Sequence, residues 1–189
     1  MPEHTHDPGH YGAQGVRASN AARAQLDELA GGITSPVTTD RGLHARLRYL
    51  TASQAGYQAM EQAGIHVRPR TLAGWLAEDH TPNPANLARI DTAYRTLRRE
   101  NVARHLTQRL NADGGTSVEL HPLDQSGVQR QHQRIVPHRR MTIRRWDPLI
   151  TAWATADNEQ FAQLWDDHLT DLGSQWGQYE YVTAVGFGA

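Results

Sequence analysis

Cysteine and lysine are both missing from these 189 residues. Without cysteine there is no disulfide framework and no thiolate-bound zinc, so zinc fingers of the DNA-binding kind are excluded. Without lysine, all 19 strongly basic side chains are arginine. That choice suits bidentate phosphate contacts, and a GC-rich genome would produce it as well. No apolar run approaches the roughly 18 residues that a membrane span requires, and no basic start leads into an apolar stretch as in a secretory signal. The expected compartment is the cytoplasm, in association with the nucleoid. A glycine-rich phosphate loop, a nucleophile elbow and a His-Glu metalloprotease motif are missing too. An enzyme reading has no footing, and neither a cofactor nor a metal is expected.

What is there is an uneven distribution of charge. The net charge is −1, yet residues 41–110 carry eleven arginines against five acids and residues 111–145 six against three, whereas residues 146–189 carry seven acids and no arginine. A basic centre beside an acidic segment suggests an anionic partner for the centre; the plainer alternative is an internal dipole that lets the two segments dock.

The length allows one substantial domain or two small ones. Hydrophobic period predicts a mainly α chain with a small α+β C-terminal part: a polar, mobile tail over 1–20, a helical domain over 21–112, and an α+β domain over 113–189 for self-association or partner binding. A short helix over 20–30 is stopped by Gly31 and Gly32. Asp40 is expected to cap a helix with Leu43, Leu47 and Leu50 on one face, and Arg41, Arg46 and Arg48 on the others. Ser53 caps the next helix, which Gly64 ends; Pro69 opens another, with Leu72, Trp75 and Leu76 as its stripe, ending near Asp79. Asn83-Pro84 starts a helix with Leu87, Ile90, Tyr94 and Leu97 in register. The shifted stripe of Val102, Leu106 and Leu110 predicts a bend or division around residues 98–101. Beyond Gly114 and Gly115 the period becomes two. Val118 and Leu120, then Met141 and Ile143, predict two strands joined by a polar loop, with a last strand alternating through Tyr179, Tyr181, Thr183, Val185 and Phe187. Between them lie two helical patterns, one from Trp146 to Trp153 and one from Phe161 to Leu172, the latter stopped by Gly173.

The stretch from Ser53 to Glu78, SQAGYQAMEQAGIHVRPRTLAGWLAE, has helix-turn-helix anatomy: a helix rich in small residues, a glycine turn and a second striped helix. Ala55 and Ala59 would let the helices cross closely, and Leu72 and Leu76 face the core. Arg68, Arg70, Thr71 and Gly74 are left facing outward. Bases are read by the N-terminal residues of a recognition helix in the major groove, which selects Arg68, Arg70 and Thr71. Arg46 and Arg48 are expected to add phosphate contacts. Arg139, Arg140, Arg144 and Arg145 either hold phosphates as well or protect a hairpin edge.

This stretch, with its continuation GWLAEDHTPNPANLARIDTAY, resembles the helix-turn-helix domains of phage-repressor-like regulators over about residues 40–97, with a slightly longer turn. The resemblance implies sequence-specific binding of double-stranded DNA by a transcriptional regulator. Dimerisation follows as an expectation, since one recognition helix reads few base pairs. The order of a helix-turn-helix and a β-containing part also resembles small proteins of mobile elements or plasmids, among them the terminal proteins of linear replicons, which attach to a DNA 5′ end through a hydroxyl; here Thr116 or Ser117 would be the counterparts. A reading from another class makes the acidic, Trp-rich C-terminal part an interaction adaptor.

Other residues carry less. Trp146, Trp153, Trp165 and Trp176 are expected in the core rather than as a stacking platform. His4, His6 and His10 are incidental to metal binding. Asp166, Asp167, His168 and Asp171 are the most enzyme-like cluster, but they form the polar face that this helix requires.

Overall fold

Residues 12–172 and 177–188 are described by the computed structural model. The elements in chain order are β1 (Val16–Arg17), α1 (Ala18–Ala30), α2 (Asp40–Thr51), α3 (Gln54–Gln62), α4 (Pro69–Leu76), α5 (Pro84–Asn111), β2 (Thr116–Pro122), β3 (Arg139–Ile143), α6 (Asp147–Ala154), α7 (Asn158–Asp171) and β4 (Tyr181–Gly188). The chain is mainly helical with one small antiparallel sheet, as expected from its periods.

Two compact units divide these elements: Ala30–Val102, which is all helical, and a second unit that joins the chain up to Leu29 to the chain from Ala103 onward. The sequence placed 21–30 with the helical domain and 1–20 in a tail, and here the structure differs. Val16 and Arg17 pair with Val182 and Tyr181 of β4, Gln14 bridges to Asp124, and the Arg17 guanidinium lies 3.2 Å from the Asp166 carboxylate. A two-residue strand shows no period, so its partner cannot be read locally.

In the helical unit, local signals set the ends of the elements. Thr39, not Asp40, caps α2: its hydroxyl accepts from the Gly42 N–H, and Asp40 instead places its charge in the first turn, where the helix dipole favours it. Ser53 caps α3 by accepting from the Gly56 N–H. Gly64 leaves α3 at φ 81°. The Gly64 N–H donates to Glu61 O and the Ile65 N–H to Met60 O, each at 2.9 Å, the paired bonds of a Schellman turn. Pro69 opens α4, and Asn83 caps α5 through Oδ1 and the Asn86 N–H. The core gathers Leu43, Leu47 and Leu50 of α2, Met60 of α3, Trp75 of α4, and Ile90, Tyr94 and Leu97 of α5.

The division expected near residues 98–101 is absent: α5 is one helix of 28 residues. Its stripe shifts because it serves two cores. Ile90, Ala93 and Leu97 are buried in the helical unit, while Leu106 and Leu110 are buried in the second.

The second unit is built on a sheet in the order β1-β4-β2-β3. Val118 and Leu120 of β2 and Ile143 of β3 are buried on one face. The register of β4 against β2 shifts between His121 and Pro122, so Val182 and Val185 are both buried while Thr183 is exposed. The alternation expected through Thr183 is overturned by that irregularity, which no period-two count anticipates. Trp146, Trp153 and Trp165 are buried, as expected; Trp176, Gly173 and the three N-terminal histidines lie outside the described residues.

Asn111, at the end of α5, fixes the start of α6. Its Oδ1 accepts from the Trp146 N–H at 2.8 Å, and its Nδ2 donates to Asp147 Oδ2 at 2.9 Å. This bond, first among several, holds the Asp147 carboxyl below the usual carboxylate range. A depressed carboxyl stabilises the fold above its unfolded-state value, and that contribution fades as the pH falls through the folded-state value. Asn111→Ala is therefore expected to lower stability near neutrality, the more so because the Trp146 N–H also loses its acceptor. It should also flatten the loss of stability on acidification, as measured by urea unfolding from pH 7 to pH 3.

Candidate nucleic-acid interface

The apolar stripe of α4 decides which residues face outward. Trp75 is 4% exposed, and Leu72 and Leu76 pack partly against the same core. With that face committed, Arg68, Pro69, Arg70 and Ala73 are exposed and Thr71 is half-buried. No side chain caps the helix. Among the described residues no carboxylate lies within ion-pair distance of Arg68 or Arg70. Two guanidiniums without counter-charges thus stand at the N-terminal end of α4, where the peptide dipoles add positive potential.

The turn feeding this helix runs from Ala63 to Arg68, longer than the three or four residues of the tightest helix-turn-helix proteins. Buried Ile65 anchors it while His66 stays exposed. At the other end of α4, Glu78 takes φ 63° and its carboxylate meets His44 Nδ1 of α2 at 2.7 Å.

Several expected positions move. Gly74 is buried rather than outward-facing, because the chain turns back after α4 and the His80 ring covers it. The close approach in this bundle is made by Gly56 and Ala59, both buried; Ala55 is exposed. Arg46 leaves the interface altogether. It is 4% exposed, its Nε donates to Asp91 Oδ1 at 2.7 Å, and its Nη1 donates to Ser35 O and Gly42 O at 2.8 and 2.9 Å. Its guanidinium also sits 5.2 Å from the centre of the Tyr94 ring. The signal was present in the spacing: positions 43, 46, 47 and 50 follow the i, i+3, i+4, i+7 rule that defines one helical face. Arg48 is exposed, as expected.

Arg139, Arg144 and Arg145 are exposed in the second unit. Arg140 is engaged there, its Nε donating to Glu119 at 2.6 Å. Strand β3 is one of the two outer strands of the sheet, so Arg139 and Arg140 on it protect an edge. The division into units also redistributes charge. Ala30–Val102 holds nine arginines against six acids and the second unit ten against fourteen, so the helical unit's excess is +3, smaller than a count over 41–110 implies. Thr116 is 4% exposed and its hydroxyl donates to Leu110 O at 2.7 Å, which leaves it unavailable for attachment; Ser117 is half-buried. Asp166 pairs with Arg17 while Asp167 and Asp171 are exposed, as a solvated helix face requires.

Sequence reasoning passed over one cluster. Glu119, His121 and His138 bring their ligand atoms within 4.8 Å of one another. The signal was the i, i+2 spacing of Glu119 and His121 on a strand, with a histidine just before the strand that pairs with it. No helix among the described residues is long and apolar enough to cross a membrane. No protein-family model, curated protein or solved structure matches the chain.

Proposed function

We propose that the helical unit binds double-stranded DNA and that α4 enters the major groove by its N-terminal end, as in the phage-repressor-like regulators that this stretch resembles. The observation that carries the reading is the pair Arg68 and Arg70, exposed and without counter-charges among the described residues, at the start of a helix whose opposite face is locked into a core. Each guanidinium can address guanine O6 and N7 bidentately, and Thr71 can meet a base edge or a thymine methyl. Arg48 supplies a phosphate contact. A sequence-specific regulator of this kind works as a dimer on paired half-sites.

The test is duplex affinity, read by fluorescence anisotropy on random and selected sequences at several salt concentrations. The wild type is expected to lose affinity steeply with salt. Arg68→Ala/Arg70→Ala should abolish preference for the selected duplex, at about 1–3 kcal/mol per lost base contact. Arg48→Ala should weaken both duplexes alike and lower the salt slope by about one. All three side chains are exposed and make no hydrogen bond or ion pair among the described residues, so circular dichroism should not change. Failure of the wild type to bind either duplex would refute the proposal and favour an adaptor acting through the acidic second unit.

A further inference from the structure

We infer that the outer face of the sheet in the second unit carries a binding site for a divalent late transition metal, with Glu119, His121 and His138 as ligands. The three positions converge because of strand register. Glu119 and His121 are two apart on β2, so both side chains leave the same face, the one opposite buried Val118 and Leu120. Glu119 pairs with Arg140 and Leu120 with Arg139, which sets His138 across from His121 on that same face. The two imidazole rings lie 4.7 Å apart between centroids, and His138 Nε2 is 3.7 Å from Glu119 Oε2.

The surroundings favour coordination. Arg140 donates from Nε to Oε1 of Glu119 and holds Nη2 within ion-pair distance of the same oxygen, so the carboxylate is oriented while Oε2, the atom facing His138, keeps its lone pairs. The backbone next to His138 is fixed as well, since the buried Tyr179 donates its hydroxyl to Pro137 O at 2.8 Å. On the neighbouring strand β4, the residues beside Glu119 and His121 are Gly186 and Ala184, whose small side chains leave the face open. A tetrahedral ion with bonds of about 2 Å holds adjacent ligand atoms about 3.3 Å apart, a spacing that rotation of the two exposed rings reaches.

Two imidazoles and one carboxylate suit zinc, copper, nickel or ferrous iron. The Arg140 charge opposes any cation held by electrostatics alone, so calcium and magnesium are not expected there. Three protein ligands leave at least one coordination position to water.

The experiment is calorimetric titration of the full chain with zinc chloride, in a His4→Ala/His6→Ala/His10→Ala background that removes the N-terminal imidazoles. One zinc ion per chain should bind, with no displacement by excess magnesium. His121→Ala, His138→Ala and Glu119→Gln should each weaken binding at least about tenfold. Zinc should raise the melting temperature of the background protein but not of the His138→Ala variant, whose melting without metal should be unchanged because the residue is exposed. Absence of zinc binding, or binding that survives His121→Ala and His138→Ala undiminished, would overturn the site.

Discussion

Gly56→Ala should destabilise the helical unit by about 1–2 kcal/mol net, although alanine is the better helix former. Only Ala52 and Ser53 separate α2 from α3, and the first turn of α3 passes directly against the backbone of Leu50. A Cβ at position 56 would overlap the Leu50 carbonyl and lie 2.9 Å from its Cα, a clash with backbone rather than with a movable side chain. Leu50 itself is fully buried with Leu43 and Leu47 in the core, so α2 cannot retreat without opening that core. Helix propensity alone would stabilise the variant by about 1 kcal/mol, whereas overpacking costs about 1–3 kcal/mol and sometimes more. The two effects have opposite signs, and chemical denaturation of the variant decides between them. A midpoint equal to or above the wild type would show that α2 and α3 are not in close contact here.

The second large effect concerns Arg46 and Asp91. Truncating Asp91 leaves a buried guanidinium without its counter-charge, and about 3–5 kcal/mol is the usual cost of such an orphan. Arg46→Met should cost less. It fills the space against Tyr94, and the Asp91 carboxylate remains 22% exposed with Arg95 Nε at 2.8 Å. The ordering is therefore Asp91→Ala worse than Arg46→Met, again measured by denaturant unfolding; the reverse order would mean that the ion pair is not what holds α2 to α5. Since the Arg46 side chain does not reach solvent, Arg46→Met should keep any duplex affinity of the wild type, in contrast to the exposed arginines of α4.

What could be read from the sequence follows a physical divide. Ser53, Gly64, Pro69 and Asn83 announce the helix ends because capping and left-handed turns involve residues at most a few positions apart. Trp146, Trp153 and Trp165 read as core because each sits at helical spacing with leucine or isoleucine. The exposure of Arg68 and Arg70 followed from the stripe of α4 by subtraction, which failed at Gly74 because His80 lies over it from beyond the helix. What stayed hidden depends on distant partners. The strand at Val16 has no identity without Val182, the phase of β4 changes at a register shift seen only against β2, and the changing stripe of α5 reads as a break because the division between the two units falls inside one helix. Arg46 belongs to the Leu43 and Leu47 face, a position that its charge masks in the sequence because the partner carboxylate, Asp91, lies on another helix. His138 was passed over because the register that sets it opposite His121 belongs to two strands at once.

The pairing of β1 with β4 carries a consequence for synthesis on the ribosome. Val16 emerges long before its partner Val182, a delay of roughly 10–30 s at about 5–20 residues per second. The contiguous helical unit has all of its residues as soon as Val102 is free and can close its core during that interval. Strand β1, by contrast, must wait with its backbone unpaired until β4 is made. The nascent chain thus closes its helical unit first and joins β1 to β4 last.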